Sequence, residues 1–420
     1  MKRKIELIIF LALILTAAFI VKSKLGVLYY NLGLRYFDQE QYEKAINYFN
    51  KSLNHSPNIA VVHYTLANTY LAKNMEESAI EEYKKTIQAN PNFINAYRNL
   101  AQLYLNQKDY EEALKVLRDG QTRNPQDFEV KELLRDAGFA GAADYLNSGI
   151  EAYDSDDKET AYALLNKAIE SSQELALSYY TLAYFYYQDK DFDSAQAKLG
   201  LALKTDASYW PAYKLLGDIY FERNDFPEAV KKYRQALVIN NKNAVLNNDL
   251  GLALMKLENY SEAIGYLKEA LRFEPNNINI RYNLASVYRD SGDFGSALSE
   301  YNKVIQAKPD YPNVHNDLAE IYRHQGNDIQ ASKEFHEEID YCNKKLLSAP
   351  QDIVALNSLA NAYNGIREYD LALQAIKKVI DIKPDYREAY ETFAKIQENL
   401  GEHEAALSTL NKAKTFSNRK

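Results

Sequence analysis

Residues 210–243, WPAYKLLGDIYFERNDFPEAVKKYRQALVINNKN, are followed by residues 244–277, AVLNNDLGLALMKLENYSEAIGYLKEALRFEPNN, and the two align without a gap. Leu216-Gly217 falls on Leu250-Gly251, and Ala229 falls on Ala263. Moving outward by 34 residues at a time finds the same alanine at Ala195, Ala297 and Ala331, and again as Ala45, Ala79 and Ala113. Ala161, Ala372 and Ala406 complete eleven, displaced only by one interval of 48 and one of 41. A fixed period of this length marks a unit that cannot bury its apolar face alone and stacks on its neighbours. Function in such an array is sought on a repeated surface rather than in one catalytic pocket.

Twelve residues before each alanine stands Gly or Ala, from Gly33, Ala67 and Ala101 to Ala360 and Ala394. A large apolar residue precedes it in every unit except the fourth, where Ser148 stands. Tyrosine follows three residues later in eight units, as in Tyr36, Tyr70 and Tyr220. Spacings of three and four put these groups on one helical face. Pro57, Pro91, Pro125, Pro275, Pro309, Pro350 and Pro384 stand at or beside the end of their units, where a missing donor stops a helix. Asp38, Asn74, Asn106, Asn224 and Gly292 mark a turn between the halves. Each unit therefore reads as helix, turn, helix, stop.

This pattern resembles the tetratricopeptide repeat (TPR), over 26–127 and 142–420 less a seven-residue insertion, or 374 of 420 residues. The resemblance implies an all-α fold: a right-handed superhelical solenoid of about eleven helix-turn-helix repeats. The fourth unit, 142–175, departs most, with Ser148 and Ala152 in place of Leu and Tyr.

Of the 35 tyrosines, 21 fall in repeat core slots, so core filling accounts for most of the aromatic excess. A net charge of −8 argues against a nucleic-acid partner, which requires a basic stripe. The single cysteine, Cys342, can form no intrachain disulfide, and matches no metal spacing. It reads as a small buried filler.

MKRKIELIIFLALILTAAFIVKSK, residues 1–24, stands outside the repeat. Lys2, Arg3 and Lys4 precede an uncharged run from Leu7 to Val21, and counting from Ile5 gives 17 residues, the lower limit for a membrane helix. An uncleaved signal anchor at 5–21 is expected, because Phe19, Ile20 and Val21 carry the run past the small residues Thr16-Ala17-Ala18. The alternative is a cleaved signal peptide and a soluble exported or periplasmic assembly or secretion factor. The excess of positive charge before the run predicts a single-pass protein with its amino terminus cytoplasmic and its repeats extracytoplasmic, periplasmic in a bacterium.

Two insertions interrupt the period. FEVKELLRDAGFAG, residues 128–141, reads as about two helical turns ending at Gly138 and Gly141, an extra helix or hinge between repeats 1–3 and 4–11. Seven residues near 339–345 equal two turns and lengthen the second helix of the ninth unit. No nucleotide loop, GxSxG elbow, HExxH or paired-cysteine site occurs. His63 and His315 occupy core slots, and His324 and His336 have no carboxylate arranged around them. No catalytic residue, cofactor or metal is expected.

In tetratricopeptide arrays the first helix of each unit lines the concave side, through its positions 2, 5, 6, 9 and 12. The resemblance thus marks Tyr30, Asn31, Tyr64, Asn99, Tyr180, Tyr184, Tyr187, Asn283, Asn316, Asp317 and Glu320 as candidate partner contacts. Position 6 can hydrogen-bond in ten of eleven units, Leu215 being the exception. This is similar to the asparagine ladder by which O-linked N-acetylglucosamine transferase repeats grip a peptide backbone. Hydrogen bonding within the groove wall is the alternative role. Aromatic and aliphatic residues dominate early (Val27, Tyr30, Leu34, Phe37, Val61, Tyr64, Leu71) and acids and amides late (Asn357, Asn361, Glu388, Glu391, Glu398). Clustered exposed aromatics are typical interface anchors. A carboxylate clamp of the kind found in chaperone-binding repeats is excluded, because Lys214 is followed by Asp218 and no other window fits. The chain therefore reads as a non-catalytic, membrane-tethered scaffold for a protein or peptide.

Overall fold

The computed structural model describes residues 22 and 24–417. It falls into two compact units, residues 1–178 and 179–420. Both are all-α, with no strand among the described residues. The first holds α1 (24–38), α2 (Tyr42–His55), α3 (Ala60–Ala72), α4 (Glu76–Ala89), α5 (Ile94–Asn106), α6 (Tyr110–Arg123), α7 (Phe128–Asp154) and α8 (Lys158–Ser171). Helix α9 (Ala176–Gln188) runs across the boundary. The second unit continues with α10 (Phe192–Thr205), α11 (Trp210–Glu222), α12 (Phe226–Ile239), α13 (Ala244–Lys256), α14 (Tyr260–Phe273), α15 (Ile278–Asp290) and α16 (Phe294–Ala307). It ends with α17 (Val314–His324), α18 (Asp328–Ser348), α19 (Ile353–Gly365), α20 (Tyr369–Ile382), α21 (Arg387–Asn399) and α22 (His403–Ser417). The chain is a helical-repeat solenoid, and the described helices pair into eleven hairpins.

The metre has a steric cause. All eleven periodic alanines are 3% exposed or less. The small residue twelve positions earlier faces the large residue sixteen positions after it. A Cβ added to Gly217 would lie 2.4 Å from Tyr233 Cε1, and one added to Gly33 would lie 2.5 Å from Phe49 Cε1. At these two glycines the helices are so close that even one added carbon does not fit. Several second helices begin on side-chain caps: Asp109, Asp191, Asp225 and Asp293 each accept the backbone N–H three residues on.

The turn inside each hairpin follows the same period. Glu40, Asn74, Lys108, Asp156, Lys190, Asn224, Glu258 and Arg367 have φ between 58° and 66°, and Gly292, Gly326 and Gly401 have φ between 73° and 82°. A left-handed residue after the helix end lets the next amide reach back over the last turn, as in Gln41 N–H to Tyr36 O at 2.9 Å and Asn259 N–H to Leu254 O at 3.0 Å. Asn74, Asn224 and Gly292 are thus turn residues as expected. Asp38 and Asn106 instead end their helices.

Residues 128–141 form no helix of their own. They are the first half of α7, an uninterrupted helix of 27 residues, in which Gly138 and Gly141 are buried rather than terminal. Close approach explains both glycines: an added Cβ would lie 2.7 Å from the backbone oxygen of Ser171 at Gly138, and 3.0 Å from Tyr110 Cβ at Gly141. Helix α18 has 21 residues where most second helices have 14. The expected membrane anchor at 5–21 lies outside the described residues. Among those described, no helix is long and apolar enough to cross a membrane.

Candidate partner-binding face

The first-helix positions resolve into residues spent on the wall and residues left open. In unit 1, Asn99 Nδ2 lies within hydrogen-bond distance of Tyr64 OH (3.2 Å), Asn68 Oδ1 (3.4 Å) and Tyr83 OH (3.1 Å). In unit 2, Asn283 Nδ2 donates to Asn248 Oδ1 at 2.8 Å, and Tyr282 OH donates to Asp317 Oδ2 at 2.6 Å. Asn316 Nδ2 donates to the backbone oxygen and Oγ of Ser358, both at 3.0 Å. Several of these bonds join positions 35 apart, one residue more than the period, and so stitch one repeat to the next. The asparagine ladder is wall structure at Asn99 and Asn283, and Asn316, one position before the ladder, is wall structure too. Asn31 and Glu320 remain exposed.

The aromatic set divides similarly. The ring of Tyr64 lies 4.8 Å from Phe93, and that of Tyr180 lies 5.5 Å from Tyr209, each pair 29 residues apart. Tyr30 packs on Phe49 at 5.9 Å, and Tyr187 on Phe192 at 5.8 Å. Burial pushes the Tyr187 hydroxyl up to about 12. Val27, Val61 and Tyr184 are left open, at 53%, 40% and 39% exposure.

Charges on the unit 2 face are paired in chains. Lys214 Nζ lies 2.8 Å from Asp218 and 3.4 Å from Asp249, and Tyr233 OH donates to Asp218 at 2.9 Å. Burial opposes the Lys214 ammonium, but Asp218 and Asp249 outweigh it and hold its pKa up. Arg289 is held between Asp290, at 2.8 Å, and Asp317. Burial raises the Asp317 carboxyl above its usual range, against the pull of Arg289. Arg289, Asp290 and Asp317 line a cavity of about 650 Å³ to which α15, α17, α19 and α21 contribute. Asn316, Asp317 and Glu320 all line it. A second cavity, of about 840 Å³, lies beside Arg387 Nη1, which donates to Asn224 Oδ1 at 3.0 Å.

Two histidines, His63 buried and His315 half-buried, carry a pairing that their core positions conceal. His63 Nδ1 lies 2.6 Å from Glu82 Oε2, and its Nε2 lies 2.8 Å from Pro57 O. His315 Nδ1 lies 2.7 Å from Glu334 Oε2. Arg281, at the same position of its repeat, donates to Glu300 at 2.8 Å and Pro275 O at 2.7 Å. The carboxylate follows by 19 residues in all three, a spacing that could have been found in the sequence. His324 stacks on Phe294 at 5.6 Å, and Cys342 is fully buried. No group of three or more metal-ligating side chains occurs among the described residues.

Family comparisons agree with the helix pairs. Models described as tetratricopeptide or TPR repeats match residues 27–59, 76–137, 285–326 and 353–386. One described as the tetratricopeptide repeat protein 21 C-terminal ARM domain matches residues 161–289. No curated protein matches the chain by sequence. Among solved structures, a tetratricopeptide repeat protein from Parabacteroides merdae is 16% identical with a TM-score of 0.50, over 61% of this chain and 99% of that one. Yeast Tom70 is 17% identical with a TM-score of 0.44, over 94% and 96%. YrrB, described as a TPR protein with an unusual peptide-binding site, is 24% identical with a TM-score of 0.36, over 54% and 95%.

Proposed function

We propose that this chain, a tetratricopeptide-repeat protein, is a non-catalytic scaffold that takes a protein or peptide partner along the first-helix face of its repeats. The observation that carries this reading is the division of that face. Contacts within and between repeats consume Asn99, Asn283 and most of the aromatics, which leaves Val27, Val61 and Tyr184 as open apolar contacts on a preorganised wall. Exposed apolar groups on a rigid support are what interface anchors require. The test is recovery of co-purifying proteins by the full chain and by a Val27→Asp, Val61→Asp, Tyr184→Ala variant. Loss of about tenfold in a specific partner is expected, and unchanged recovery overturns the reading.

In the same proposal the run at 5–21 is a signal anchor, with the amino terminus cytoplasmic and the repeats extracytoplasmic. It is supported by the uncharged run from Leu7 to Val21, apolar but for Thr16, and the basic residues before it. Mass determination of the mature protein decides this against an exported soluble factor. A chain beginning between Phe19 and Lys24 would exclude the anchor.

A further inference from the structure

We propose that the polar cavity of the second unit is the seat for a cationic, N–H-donating side chain, an arginine or lysine of the bound segment. The inference rests on the reading of the first-helix face as the partner site and deepens it. A volume of about 650 Å³ lies within the range of about 300–1,000 Å³ typical of ligand sites.

The unsatisfied groups in and behind its wall are acceptors. Asn316 is 93% buried (7% exposed), and its amide orientation is fixed because Nδ2 donates to the Ser358 carbonyl, which can only accept. Its Oδ1 therefore faces no donor among the described residues, and neither does Asn357 Oδ1 on the same wall. One hydrogen bond further back, Ser358 Oγ donates to Glu338 Oε1 at 2.5 Å. Glu338 is fully buried, makes no ion pair among the described residues, and leaves Oε2 without a partner. A buried carboxylate without a cation is costly, and a positive ligand group near it relieves that cost.

Arg289 and Glu320 point the same way. Arg289 is already engaged by Asp290 and Asp317, so it is not free to clamp an anion. Glu320 lines the cavity, is exposed and makes no ion pair among the described residues. Lys395, at the same cavity, is likewise unpaired and works against a second cation.

The test uses the full chain and two small probes, Nα-acetyl-arginine amide and its neutral isostere Nα-acetyl-citrulline amide, with binding followed by calorimetry. Saturable binding of the arginine probe is expected, weakened about tenfold for citrulline and for Glu320→Gln, because each change removes a charge from a charge-assisted bond. Lys395→Gln is expected to tighten binding about twofold by removing a like charge. Glu320 and Lys395 are exposed, so both variants should keep the fold, which circular dichroism verifies. Absence of saturation, equal binding of citrulline, or indifference to Glu320→Gln overturns the proposal. Because neither probe is a protein partner, such a failure leaves the partner-recovery experiment standing on its own result.

Discussion

At the scale of single residues, His63 has an oxygen acceptor at each ring nitrogen, Glu82 at 2.6 Å and Pro57 O at 2.8 Å. Both nitrogens must donate to satisfy this geometry, so the imidazolium is the fitting form. The Glu82 bond raises its pKa, with burial opposing. Lys85, 2.7 Å from Glu82, shares the carboxylate and moderates the effect. A histidine whose folded pKa is raised contributes stability that is complete below the unfolded value of about 6.5 and is lost as pH rises through the folded value. Glu82 is lowered, so its share is lost only on acidification through its own folded pKa. Denaturant titrations of the first unit's helices should therefore show about 1–2 kcal/mol less stability at pH 9 than at pH 6. Arg281 makes the same two contacts with a permanent charge, so His63→Arg should abolish most of that slope. A wild-type profile that stays flat from pH 6 to 9 would exclude the charged pairing. Residues adjacent to His63 carry no hint of protonation, since size alone suits a core slot; the information lies in Glu82, 19 residues on.

At the scale of elements, the helices were legible because their determinants are local. Apolar spacing, aspartate caps and prolines lie within a few residues of the ends they set. The left-handed turn residue was harder to read because the long side chains Glu40, Lys108, Lys190 and Arg367 occupy it where glycine would have signalled it. A left-handed conformation costs about 1–2 kcal/mol for an ordinary residue, offset in part by the extra unfolded-state freedom of glycine. Glu258→Gly should thus raise stability by about 0.5–1 kcal/mol, and Glu258→Val should lower it by about 1–2 kcal/mol. The opposite order in thermal denaturation would refute the strain. Gly138 misled for a related reason. A glycine that breaks a helix and one that admits a neighbouring backbone look alike in sequence, and only the 2.7 Å approach to Ser171 O separates them. Gly138→Ala should cost about 1–3 kcal/mol despite alanine's better helix propensity, because a backbone oxygen cannot rotate aside.

At the scale of the whole molecule, a repeat array has a stability that is a sum of repeat terms and nearest-neighbour terms. The face was less legible than the fold for this reason: whether Asn99 or Asn31 is available depends on the next repeat, and the metre says which positions face each other but not which bonds form. Asn99 finds Tyr64, Asn68 and Tyr83 within reach, whereas Asn31 stays exposed. The same additivity predicts how damage spreads. Gly217→Ala forces a methyl to within 2.4 Å of Tyr233 in a ring that is 2% exposed, so α11 and α12 must separate. Overpacking of this kind costs about 1–3 kcal/mol, reduced by the gain in helix propensity. Hydrogen exchange should then quicken about tenfold in α11 and α12, less in α10 and α13, and not at all in α3–α6. Uniform acceleration through α3–α6 would mean that the chain unfolds as one cooperative body, and the nearest-neighbour account would fail. If exchange instead rises only around Tyr233, each hairpin can open while others stay closed, and a partner lying on the first-helix face would be expected to protect the hairpins it touches and no others.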